Sequence, residues 1–178
     1  SLLKTWEYRT SAGKTNGNNF NFRDCILVGS HFEYFSCENL DFTNCNLRGS
    51  LFDNCIMQSA VFSNCNLEFS EFKSCQLPNC EFGNSKIKFS HFLRCKLMYA
   101  DFLNAVWIGS YITECEFEGT YLASVDLENS RISFSTFYGV FAPRISLAVC
   151  NVEKCKFLGV DLFAANFQGA IVKDTSFS

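Results

Sequence analysis

A chain of 178 residues carrying fifteen basic and eighteen acidic side chains, for a net charge of −3, is long enough for one domain with a real core. Its interspersed charges predict neither direct nucleic-acid binding nor adhesion to a membrane surface, and no apolar run approaches the ~18 residues that span a bilayer. There are 21 Phe but two Trp, and eleven Cys but two Pro; the odd cysteine count leaves at least one thiol outside any disulfide scheme.

Residues 1–19 stand apart from the rest of the chain. "SLLKTWEYRT" holds Leu2, Leu3, Trp6 and Tyr8, and "SAGKTNGNN" reads as a linker. The chain opens on Ser rather than Met and shows no signal-peptide pattern. A trimmed or processed chain is the expectation, as is a cytoplasmic location, or secretion if the chain is a fragment of a larger bacterial effector.

From Phe22 every fifth residue is apolar as far as Phe177: Phe22, Leu27, Phe32, Cys37, Phe42, Leu47 and onward, 32 centres without an insertion, fourteen of them Phe and nine Leu. Two residues before each centre runs a series of small side chains, with ten Cys, eight Ser and five Ala. A period of five is neither helical nor that of a plain strand. It fits a chain that extends briefly, turns a corner and repeats.

The corners carry turn chemistry. Pro78 and Pro143 lie one residue after a centre, and seven glycines and eight asparagines lie two after one. Pro followed by Gly or Asn suits a type II turn, whose third residue has positive φ. Corners bearing Phe69, Phe89 or Tyr99 there are expected to use another turn. Ser at 30, 50, 70, 90, 110 and 130, with Cys at 55, 75, 95 and 115, sets a longer period of twenty, so four quintets close one coil and like side chains stack. Thirty-two quintets make about eight coils, a rod of roughly 38 Å at ~4.8 Å per coil.

Blocks such as "CNLRG" (45–49), "ADFLN" (100–104) and "VDLFA" (160–164) resemble the small–polar–Leu/Phe–polar–polar motif of the pentapeptide-repeat family. The resemblance covers residues 20–177 and implies an all-β fold, a right-handed quadrilateral parallel β-helix. Phe20, Phe35 and Leu40 in the small position, and Cys37 as a centre, depart from the pattern. They predict a distorted or specially capped first end. Residues 1–19 are expected to cap the first coil as a short helix or strand, ahead of a 20–178 β-helix. The repeat runs into Phe177, so the C-terminal end is expected either to continue or to pair with a second copy, with Tyr138, Leu158, Phe163 and Phe177 as contacts.

Ten cysteines fall on the inward small position and Cys37 on a centre, where thiols act as small apolar groups. Such a column cannot converge on a metal, and reduced thiols suit the cytosol. His31 and His91 lie three coils apart. There is no phosphate loop, nucleophile elbow or paired carboxylate set, so neither enzymatic activity, metal nor cofactor is expected.

Two surface features remain. Phe69 and Phe89 share a corner beside His91, Leu93 and Tyr111, an aromatic patch of the kind that marks a protein contact. Asp41, Glu81, Asp101 and Asp161 share one column. The quinolone-resistance branch of the family implies that such rods can mimic duplex DNA toward gyrase, and a mimic needs phosphate-like charge. The reading from the sequence is a rigid protein-binding module of unspecified partner, with gyrase-directed DNA mimicry as the alternative.

Overall fold

A computed structural model describes residues 7–9 and 20–178. Four short extended segments per coil form four faces, and every ladder between coils is parallel with partners twenty residues apart. The first face carries bridges from Asn21↔Asp41 to Phe141↔Asp161, and the second from Ile26↔Asn46 to Ser146↔Asn166. The third stacks strands from His31–Glu33 to Ile171–Lys173, eight strands and hence seven full steps. The fourth begins as single bridges and becomes a four-stranded sheet from Glu116–Glu118 to Ser176–Phe177. The described residues include no helix, and none long and apolar enough to cross a membrane.

The N-terminal segment contributes a strand, Glu7–Arg9, which pairs in parallel with His31–Glu33 on the third face. Leu2, Leu3, Trp6 and the linker lie outside the described residues.

Centres and small residues both point inward, and the column is filled. Phe rings stack at 4.5–5.0 Å along 22, 42, 62, 82 and 102. A second ladder along 32, 52, 72 and 92 stacks at 4.5–4.8 Å. The two ladders meet edge to face at 5.7–6.4 Å, the arrangement that aromatic quadrupoles favour. Beyond residue 102 the rings change face, continuing as Phe117, Phe137, Phe157 and Phe177 at 4.5–4.8 Å. Trp107 makes the exchange. Fully buried, it lies 4.6 Å from Phe92, 4.8 Å from Phe102 and 6.3 Å from Phe117, and its Nε1–H donates to Ser90 Oγ.

The departures near the first end are resolved by volume. In "FSCEN" (35–39) a large residue takes the small position and a small one the centre, and Phe35, Cys37 and Leu40 are all buried. The ladder continues there, with the Cys37 N–H donating to the Ile56 carbonyl at 3.0 Å.

Inward Cys, Ser and Thr also supply donors. Cys45 Sγ donates to the Phe22 carbonyl, Cys65 to Phe42, Cys80 to Met57, and Ser50 to Leu27, each reaching back 23 residues. Small size and a polar hydrogen are therefore selected together, which distinguishes these positions from those held by Ala.

The corners correct one expectation. From Asp24 to Asp174, in steps of five, every corner residue has positive φ, between +48° and +70°. Phe69, Phe89 and Tyr99, at +60°, +56° and +55°, are no exceptions. The Phe69 corner is closed by Ser70 N–H donating to the Leu67 carbonyl at 3.1 Å, as Ser50 N–H closes the Gly49 corner on Leu47. Stacking overrides side-chain preference, because each corner N–H from Asp24 to Gly159 is held by a carbonyl of the next coil, Phe69 N–H by Lys88 at 3.0 Å.

Candidate protein-docking surface

The corner between the second and third faces carries, coil by coil, Gly29, Gly49, Phe69, Phe89, Gly109, Asn129, Val149 and Gly169. A left-handed conformation costs a residue with a Cβ roughly 1–2 kcal/mol, and glycine makes the same corner on either side. Phe69 and Phe89 accept that cost while remaining 47% and 54% exposed. Other non-glycine corners share this conformation; what sets this pair apart is two half-exposed rings stacked on adjacent coils.

The two rings are rigidly held. They stack at 5.3 Å with 22° between planes. The Arg48 guanidinium lies 4.9 Å from the Phe69 centroid, on the coil before. On the coil after, the Cδ1–Cε1 edge of Phe89 lies against Gly109, where an added Cβ would meet those two atoms at 2.8 Å. The result is a pile of guanidinium, ring, ring and glycine running along the rod. Both faces of Phe69 are occupied, and both rings stay half-exposed.

Past Ser90 the chain enters the third face, where His91 and Leu93 flank the buried Phe92. His91 pairs in register with Tyr111, their rings 6.0 Å apart and edge to face. Leu93 sits half-buried between Lys73 and Thr113 in the ladder. The structure thus places two aromatic pairs on either side of one corner. Among the described residues, no ring contact joins the Phe pair to the His91–Tyr111 pair. Three further residues belong to this surface and were not singled out from sequence: Arg48, and Lys86 and Lys88 immediately before Phe89. The period of twenty could have found Arg48, which precedes Phe69 by one coil and one residue.

The acidic column has a structural occupation. Asp41 Oδ1 accepts the Thr43 N–H at 2.9 Å, Asp101 that of Leu103 at 2.8 Å, and Asp161 that of Phe163 at 2.9 Å. Asn21, Asn46, Asn66 and Asn166 do the same for the N–H two residues on. These amides just after a centre lie outside the ladder, and an Asp or Asn just before the centre satisfies them. Asp41 also pairs with Arg23 at 3.1 Å. Burial pushes its carboxyl up, but the Thr43 hydroxyl and amide and the Arg23 guanidinium outweigh it and hold the carboxyl below the usual range. Glu81 and Asp101 are ladder neighbours, whereas Val61 separates Glu81 from Asp41, and Tyr121 and Phe141 separate Asp101 from Asp161.

The residues near the C-terminal end occupy different surfaces. Tyr138 and Leu158 are ladder partners on the outside of the fourth face. Phe163 projects from the first face, 74% exposed, and Phe177 stacks on Phe157 in the core column. Beside Phe163 the first face is apolar, with Tyr121 and Phe141 stacked at 4.9 Å.

The eleven cysteines are free; ten are buried and Cys25 is half-buried. Burial pushes the Cys45 and Cys150 thiols up to about 11 and those of Cys65 and Cys80 to about 12. They are poor nucleophiles at neutral pH. Among the described residues, no three His, Cys, Asp or Glu side chains converge as metal ligands would.

Four-sided parallel coils, apolar centres at every fifth residue and left-handed corners define a pentapeptide-repeat β-helix. Family models agree: one described as a pentapeptide repeat region matches residues 55–132, and one described as pentapeptide repeats in eight copies matches residues 36–68. The chain belongs to the pentapeptide-repeat family. Among solved structures it is similar to a trypsin-treated form of QnrB1, a plasmid-mediated fluoroquinolone resistance protein, with TM-score 0.74 and 21% identity over 84% of this chain and 75% of that one. A second trypsin-treated QnrB1 form gives TM-score 0.52 and 19% identity over 87% and 92%. At these identities the likeness is one of fold. No curated protein matches the chain in sequence.

Proposed function

We propose that the chain is a non-enzymatic, rigid interaction module that docks a protein partner on the corner formed by Phe69 and Phe89, with His91, Leu93 and Tyr111 as the adjoining face. The supporting observation is the half-exposed ring pair, stacked on adjacent coils at a corner that glycine makes in the coils on either side. A pre-organised aromatic anchor loses little conformational entropy on binding, which favours affinity. Quantitative affinity capture from the source cell, comparing wild type with Phe89→Glu and Tyr111→Glu, tests this reading. Loss of a specific partner in both variants is expected; an unchanged set of partners overturns it.

The rival reading, a gyrase-directed DNA mimic, draws on the fold shared with QnrB1. It needs a continuous row of free carboxylates, whereas three of the four column acids accept backbone amides and the row is interrupted by Val61, Tyr121 and Phe141. A gyrase supercoiling assay with and without quinolone separates the two: protection of the enzyme by this protein favours the mimic.

A further inference from the structure

We infer that the partner segment received by the Phe69–Phe89 corner is acidic, a stretch of protein rich in Asp or Glu; this rests on the docking reading above and names the chemistry that it selects. The first observation is which part of the rings is free. Phe69 has Arg48 against one side and Phe89 against the other, and Phe89 has Phe69 and Gly109. Neither face of Phe69 remains for a base or a second aromatic to stack on. The exposed edges carry the positive end of the aromatic quadrupole, which attracts carboxylate oxygens.

The second observation is charge. Lys86 is exposed and Lys88 half-exposed on the second face just before Phe89. Among the described residues neither is in an ion pair, while the acids nearest the corner are already engaged, Glu68 by Arg48 at 3.9 Å and Glu71 by Lys73. Two ammonium groups outside any ion pair among the described residues therefore stand beside two half-exposed rings on a backbone fixed by its ladder. An acidic segment complements both. A single-stranded nucleic acid would use the lysines but would find no free face on Phe69 on which to stack its bases.

Panning a displayed library of random twelve-residue peptides on the intact protein, with prior depletion on Phe69→Asn/Phe89→Asn, tests the inference. Asn keeps the left-handed corner, as at Asn129, so the depleting variant folds. The recovered peptides are expected to be enriched in Asp and Glu over the input, and to bind Lys86→Glu/Lys88→Glu at least tenfold more weakly. Recovery of peptides without acidic enrichment, or of none, overturns the inference. Binding of a twelve-nucleotide oligo(dT) that is lost in the Phe69→Asn/Phe89→Asn variant also overturns it and assigns the corner to nucleic acid. In the capture experiment, partners lost with Phe89→Glu but retained by Lys86→Glu/Lys88→Glu refute only the acidic chemistry. Partners retained by both variants refute the docking site itself.

Discussion

Gly119→Ala isolates the rule that links corner aromatics to the glycine of the next coil. Tyr99 lies over Gly119 as Phe89 lies over Gly109, and an added Cβ at 119 would sit 2.5 and 2.6 Å from two Tyr99 ring atoms. With φ at +58°, alanine there also costs about 1 kcal/mol for the left-handed backbone. The Tyr99 ring, 56% exposed, can swing out, forfeiting roughly half its packing, on the order of another 1 kcal/mol. A total near 2 kcal/mol is expected. Gly139→Ala is the internal control: φ is +59°, yet nothing lies within 4 Å of the added Cβ, so only about 1 kcal/mol should be lost. Equilibrium urea unfolding measures both. In a Tyr99→Asn background, which has no ring to displace and keeps a residue tolerant of positive φ, Gly119→Ala should cost only the backbone share, about 1 kcal/mol. Equal losses at 119 and 139, or the same loss at 119 with and without the Tyr99 ring, would refute the pairing.

Phe72 is fully buried between Phe52 and Phe92, each at 4.5 Å; Phe72→Ala should cost about 3–5 kcal/mol and Phe72→Asp should abolish folding, read by circular dichroism. Lys73→Ala, which removes only an exposed pair with Glu71, should change unfolding by less than about 1 kcal/mol. Asp101→Asn keeps an acceptor for the Leu103 N–H and should be silent, whereas Asp101→Ala should cost about 1 kcal/mol; the reverse order would mean that charge, not turn geometry, selects the acid. Native protein at pH 8 should react with no more than one thiol per chain by the DTNB assay, and denatured protein with all eleven. Because burial raises the folded pKa of Cys45 and Cys150 to about 11 and of Cys65 and Cys80 to about 12, the stability linked to these four thiols should be intact below pH ~8.5 and fall progressively as pH rises toward those values; a flat profile from pH 9 to 11 would contradict this.

The period made the coil legible from sequence, since an unbroken repeat of five with a longer period of twenty leaves one way to stack Phe22 on Phe42 and Ser90 on Ser110. It also placed Phe69 and Phe89 together. Three things were hidden for physical reasons. Turn preference suggested a different corner for Phe69, but the repeat holds every corner at positive φ whatever the side chain, with a ladder bond from each corner N–H between Asp24 and Gly159. The acidic column looked like a charge pattern, because the amides that Asp41, Asp101 and Asp161 satisfy are visible only once the ladder shows which N–H groups it omits. The exchange of aromatic faces at Trp107 depends on rings 15 and 10 residues apart meeting in three dimensions, which a one-dimensional repeat does not display.

The claim that Phe69 and Phe89 are held for binding rather than for the fold is tested most directly by one paired measurement on Phe69→Asn/Phe89→Asn: unfolding free energy and partner capture on the same preparation. Relief of left-handed strain, roughly 1 kcal/mol at each corner, offsets the loss of a half-exposed stack, so stability should stay within about 1 kcal/mol of wild type while the specific partner is lost. A protein destabilised by more than about 3 kcal/mol that still captured its partner would show that the two rings serve to shield the backbone, and that the docking surface lies elsewhere.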